Sequence, residues 1–338
     1  MAQSQPLIGA RHREMIDRTD DKQESARSNI TRLIAGYAVI IFILPYLAIK
    51  IIWISGVPLG MPNKNLVTDP TMLAINILTF CMDAVAILLA LAFTHAWGRR
   101  VPAWLLLFPI WVGMGFLAPI VVVAPLNALA RALGLGSGQP APSNQFPLEP
   151  WVRGVVFTSF VGQGLALLTA FILYAHERWG GLLRTRTVDG QGPRQAIVIL
   201  GNAAFVIATA VGLLHLLSGA IGAPFGLPSE LSRSGGANFY LLQATFGLAA
   251  LCAAAGIAML VNRVGTWSLW LPLSLGSIGA GAMFSWGAWL VLAAALKLSR
   301  GEGEWLLMAI NVVKTGAGLL IGALIGLIVA VKLKRGES

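Results

Sequence analysis

Polar and apolar positions in this chain come in blocks rather than in alternation. After a mixed polar stretch of about 32 residues, continuous apolar runs occupy residues 33–54, 72–97, 101–124, 151–175, 195–219, 238–261, 267–296 and 304–332. Each run reaches the roughly 20 residues that an α-helix needs to cross a bilayer. The runs hold Leu, Ala and Gly without alternation, which argues against barrel strands. The pattern predicts an all-α polytopic membrane protein with eight transmembrane helices.

The blocks repeat. Ser55-Gly56 leads to Pro58-Leu59-Gly60-Met61-Pro62, and Ser218-Gly219 leads to Pro224-Phe225-Gly226-Leu227-Pro228. Arg100, Val101, Trp104, Leu106, Pro109 and Gly113 return as Arg263, Val264, Trp267, Leu269, Pro272 and Gly276, at a constant offset of 163 residues. Spans 4 and 8 agree more weakly, in Gly162-Gln163-Gly164-Leu165 against Gly316-Ala317-Gly318-Leu319. An inner-edge Arg and a belt Trp are common to many spans, so shared interface signatures are the competing explanation. Duplication accounts better for their matched order and spacing. Four spans per half is an even number, so the expected architecture is two parallel four-helix repeats about an axis along the membrane normal. The expected organisation is a cytoplasmic tail at 1–32, a first repeat at 33–175, a linker at 176–194 and a second repeat at 195–333.

Apolar residues make up 57% of the chain and charged residues 11%, against about a quarter charged in soluble domains. The net charge of +10 raises the question of nucleic acid. Its distribution answers it. With the N-terminus inside, 16 Lys and Arg fall on the inner side and 6 on the outer. That bias predicts that both termini are cytoplasmic. The basic excess then reflects topology and attraction to anionic lipid, not a nucleic-acid partner. The first 30 residues lack the apolar core and cleavage site of a signal peptide and read as a disordered tail. Between spans 3 and 4, residues 126–135 form either a short surface helix or an extension of span 3.

Few ionisable residues enter the spans, where each costs roughly 3 kcal/mol or more. Asp83 lies about eleven residues into span 2, roughly 16 Å deep at 1.5 Å per residue, and Lys314 roughly 14 Å deep from the same side. Lys50 and His215 stand near equivalent positions of the two repeats, just below the Ser-Gly elements. Gln163, Gln243 and Asn311 fall in outer halves of their spans. Together these residues suggest a polar zone between the repeats that opens outward, with Asp83 holding a cation or proton. Lys314, Lys50 or His215 would be its counter-charge. The structural alternative is a salt bridge pinning span 2 to span 8 or span 1, with Lys50 reaching the outer headgroups. The repeat is asymmetric here: Asp83 aligns with Phe246, and Lys314 roughly with Phe160.

Gly318, Gly322 and Gly326 form a small-residue face on span 8 for helix packing. Pro109 and Pro272 match across the repeat and predict similar bends. Cys81 and Cys252 fall within spans and read as small buried hydrophobes, not a disulfide. No phosphate loop, His-Glu-x-x-His, Cys-x-x-Cys or nucleophile elbow occurs, so neither a metal nor another cofactor is expected. One carboxylate in the membrane core supplies paired acid–base chemistry poorly, which disfavours an enzyme.

Leu44-Pro45-Tyr46-Leu47-Ala48-Ile49-Lys50 with Trp53 and Ser55-Gly56, and Arg100-Val101-Pro102-Ala103-Trp104-Leu105-Leu106-Leu107, resemble a group of actinobacterial multi-pass membrane proteins. The resemblance implies a bacterial plasma membrane and carries no activity with it. Two functions remain open at this point. One is a small-solute transporter or permease-like protein; the other is a membrane subunit or scaffold that binds a protein or lipid partner through its Gly-rich faces.

Overall fold

A computed structural model describes residues 5–134, 148–189, 192–222, 236–296 and 304–334. Among them are eight helices long and apolar enough to span a membrane. They are α1 (Gln5–Ile54), α2 (Pro70–Thr94), α3 (Ala103–Ala132), α4 (Pro150–Arg184), α5 (Gln195–Ile221), α6 (Gly236–Val261), α7 (Trp270–Ala295) and α8 (Glu304–Lys334). The described residues form an all-helical fold, and eight apolar helices of this length fit an integral membrane protein.

Local chemistry explains several boundaries. Asp69 caps α2 by accepting from the backbone N–H groups of Thr71 and Met72, and Pro70 opens the helix where no donor is needed. Ahead of the first span, the backbone is helical from Gln5 where the sequence suggested a disordered tail. Arg, Gln and Glu recur there, all good helix formers, and the one proline, Pro6, stands in the first turn, where it is tolerated. Of the two readings for residues 126–135, the extension holds: α3 continues to Ala132 through Pro119 and Pro125. The 176–194 linker is half helix, because α4 runs to Arg184 past a break in helical geometry at Trp179. Pro109 sits well inside α3 but Pro272 lies in the first turn of α7, so the matched prolines do not act on equivalent backbone.

The helices pack in two groups. In the first, α1 lies against α2 and α4, and α4 against α3; in the second, α5 lies against α6 and α8, and α7 against α6 and α8. The main second core is drawn almost wholly from α5 to α8, around Ile257, Leu269 and Ile321. The first is centred on Val39, Phe93, Ile110 and Tyr174. Large apolar side chains such as Ile34, Ile41, Phe108 and Leu248 remain exposed on the outside of the bundle, where lipid would cover them.

The groups meet where α3 crosses α6 and α7. A Cβ on Gly115 would fall 2.2 Å from the carbonyl oxygen of Gly281, so only glycine permits this approach. Trp111 Nε1 donates to Ser277 O at 2.9 Å, Ser285 Oγ to Val112 O at 2.9 Å and Trp286 Nε1 to Phe116 O at 3.2 Å. The Trp111 ring stacks on Phe284 with centroids 5.1 Å apart.

At the end carrying most of the basic residues, Glu177 accepts from both Arg32 and Arg99, joining α1 and α4 to the short helix Ala96–Arg100. Beyond α4, Thr187 N donates to Trp267 O at 2.9 Å and Leu269 N to Thr185 O at 2.8 Å. The linker is therefore clipped to the start of α7. At the opposite end, the first Ser-Gly…Pro-x-Gly-x-Pro element forms a turn with Gly56 and Gly60 at φ of 88° and 63°. Trp53 Nε1 closes it onto Leu59 O at 2.8 Å. In the second copy, residues 223–235 lie outside the described residues.

Candidate functional site

The two helix groups each bury a polar cluster near the end that carries this turn. In the first, Lys50 stands one turn from the end of α1, and Asp83 lies midway along α2. Lys50 Nζ donates to Asp83 Oδ2 at 2.6 Å. Lys50 is 0% exposed and Asp83 6%. The ammonium also lies 4.1 Å from the centroid of the Tyr46 ring, one turn back on α1. Tyr46 in turn meets Phe160 of α4 edge to face, with centroids 5.3 Å apart. Lys50 does not reach outward for headgroups, because α2 brings a carboxylate to it inside the bundle.

The second cluster gathers α5, α6 and α8. His215 Nδ1 and Gln243 Oε1 are 2.6 Å apart. With that oxygen accepting, Nδ1 carries the proton, and Nε2 is left without a hydrogen-bond partner. His215 packs on Phe246, with centroids 5.7 Å apart. Lys314 lies over the same Phe246 ring, 5.0 Å from its centroid. Lys314 is 2% exposed, and Asn311, one turn back on α8, is also buried. No carboxylate among the described residues pairs with Lys314.

Of the three candidates for the counter-charge of Asp83, the structure brings Lys50 to it. Lys314 belongs to the other helix group, so no Asp83–Lys314 pair forms. The polar zone expected between the repeats is instead two zones, one within each group. The surface where the groups meet is closed by Gly115, Gly281 and the Trp111–Phe284 stack. Gln163 is buried on α4, and no hydrogen bond links it to either cluster among the described residues.

The aromatic floors of both clusters were missed in the sequence. Tyr46 precedes Lys50 by four residues, a helical neighbour spacing that offered a signal. Phe246 offered one only through its alignment with Asp83. By the 163-residue offset the ring under Lys314 stands where the first half has its carboxylate, and by the match of Gly162 with Gly316 Phe160 stands near the place of Lys314. Each half thus supplies a cation, an aromatic face and a third group, arranged on different helices.

Among the small residues of α8, a Cβ on Gly318 would meet Ala280 O at 2.6 Å and one on Gly322 the Trp111 ring at 2.8 Å. Gly326 faces open space. Cys81 is exposed on α2 and Cys252 half-buried on α6, in place of the full burial expected. No group of three or more His, Cys, Asp or Glu side chains converges among the described residues. No family model matches the chain, and neither a curated protein nor a solved structure matches it. The resemblance carried by residues 44–56 and 100–107 therefore rests on those residues alone.

Proposed function

We propose that this membrane protein is a small-solute carrier or permease, and that its solute is an anion held in the second helix group by Lys314, His215, Gln243 and Asn311. The observation that carries the reading is the buried Lys314 ammonium, with which no carboxylate pairs among the described residues. Withdrawing an ammonium from water costs several kcal/mol even after the protein relaxes. A cation over an aromatic face recovers only about 2 kcal/mol. A small anion would supply the remainder, and the unpartnered His215 Nε2 and the buried amides would orient it. Lys50 and Asp83 neutralise one another and form the closed counterpart in the first group.

The architecture supporting this reading is two parallel four-helix repeats with both termini cytoplasmic, in a bacterial plasma membrane. The pairings α1–α2, α1–α4 and α3–α4 have their counterparts in α5–α6, α5–α8 and α7–α8, as duplication would produce. Both polar clusters then lie in the outer half of the membrane. The competing reading, a scaffold docking a partner through the glycine face of α8, has less to work with. Gly318 and Gly322 are already covered by the chain's own helices, leaving Gly326.

Proteoliposomes loaded with buffer and offered chloride or acetate test the proposal. Wild-type protein should take up at least one of these anions, and Lys314→Met should abolish uptake while remaining folded. Folded wild-type protein that moves neither anion, or a Lys314→Met variant that transports normally, overturns it.

A further inference from the structure

A cleft of about 310 Å³ opens where α5 begins and α6 and α8 end, far from both polar clusters. Arg194, Arg263, Lys332 and Lys334 line it, and no acidic residue does among the described residues. Its wall is apolar, with Ile197 of α5, Leu260 of α6 and Leu327 of α8. Leu327 is itself exposed on the outside of the helix group, so the apolar wall continues onto the lipid-facing surface.

The basic groups are held in place. Lys332 is buried, and its Nζ donates to the carbonyl of Asp189 at 2.8 Å. Arg263 Nε donates to the carbonyl of Thr187 at 3.3 Å. The Asp189 carboxylate is turned to the backbone N–H of Arg186, at 2.6 Å. Arg263 also adopts φ of 53°, the left-handed region that a long side chain enters at a cost of about 1 kcal/mol or more. The positive-inside bias accounts for basic residues near helix ends. It requires neither a concave arrangement, nor a buried lysine, nor a strained arginine turned towards a shared cleft.

We infer that this cleft binds an anionic phospholipid of the adjoining leaflet. The phosphate would sit among Arg194, Arg263 and Lys332, and an acyl chain would follow Ile197 and Leu327. Charge-assisted hydrogen bonds to phosphate are among the stronger ones available. Basic pockets between transmembrane helices suit lipid headgroups in this way. The volume is at the small end for a ligand site, which fits a headgroup whose chains remain in the bilayer.

The experiment is a thermal-unfolding titration of the purified full chain in neutral detergent. The probes are dihexanoyl phosphatidylglycerol, dihexanoyl phosphatidylcholine and glycerol 3-phosphate. Phosphatidylglycerol should raise Tm saturably, and phosphatidylcholine should not. Arg194 and Lys334 are exposed, so Arg194→Gln/Lys334→Gln should fold normally and need at least about tenfold more phosphatidylglycerol. The charge-retaining Arg194→Lys/Lys334→Arg variant should keep the wild-type response. Equal responses to the two lipids, or an unchanged response in the neutralised variant, overturns the assignment. Glycerol 3-phosphate acting at the same concentration as the lipid also overturns it, in favour of a soluble phosphate site.

Discussion

Lys50 Nζ and Asp83 Oδ2 meet at 2.6 Å between α1 and α2, with both residues closed off from the surface. Removing one member of such a pair leaves the other charged and without a partner, at a cost of about 3–5 kcal/mol, whereas replacing both by apolar groups is often neutral. Asp83→Asn and Lys50→Met should each lower Tm markedly in detergent. Lys50→Met/Asp83→Leu should recover most of the loss. A single variant as stable as wild type would show that the pair does not hold α1 to α2.

Lys314 behaves oppositely, because no carboxylate among the described residues depends on it. Lys314→Met should leave Tm unchanged or raise it, since burial of the ammonium is unfavourable and the side chains are similar in length. It should also abolish any rise in Tm produced by chloride or acetate. Strong destabilisation by Lys314→Met would mean that the ammonium serves the fold itself.

The eight spans were legible because each needs only a continuous apolar run, and length with composition suffices for that. Counting residues from the span ends gives Asp83 and Lys314 one expected depth. Depth says nothing about which helices are neighbours. The sequence reading therefore left Lys50, Lys314 and His215 open as partners, and the packing of α1 on α2 decided among them. Tyr46 and Phe246 lay hidden because an aromatic in an apolar run does not announce the cation above it. The basic cleft was missed for a related reason. Arg194, Arg263 and Lys332 lie at the ends of three helices, and a charge tally assigns them to topology without bringing them together.

Gly113 and Gly115 of α3 provide an internal control for the contact between the helix groups. A Cβ at Gly115 would overlap the backbone of Gly281, while one at Gly113 meets nothing within 4 Å. Gly115→Ala should cost about 1–3 kcal/mol, as overpacking against immobile backbone does. Gly113→Ala should be neutral or slightly stabilising, since alanine is the better helix former. Thermal unfolding of the two variants side by side measures the difference. Equal stability would show that the groups can separate slightly at little cost.

The orientation of the chain is testable with single cysteines, because Cys81 and Cys252 can be replaced by alanine without breaking a disulfide. Asn65, in the short helix Lys64–Thr68 between α1 and α2, and Val188, beyond α4, are both exposed. Under the positive-inside assignment, Asn65 faces outward and Val188 faces the cytoplasm. A membrane-impermeant maleimide applied to intact spheroplasts should label Asn65→Cys and leave Val188→Cys unlabelled until the membrane is permeabilised. The reverse pattern would invert the protein and place the basic cleft in the outer leaflet. It would also move the Lys314 cluster to the cytoplasmic half. Labelling of both positions from one side would exclude the eight-span topology, because the three crossings α2, α3 and α4 between Asn65 and Val188 must leave them on opposite sides.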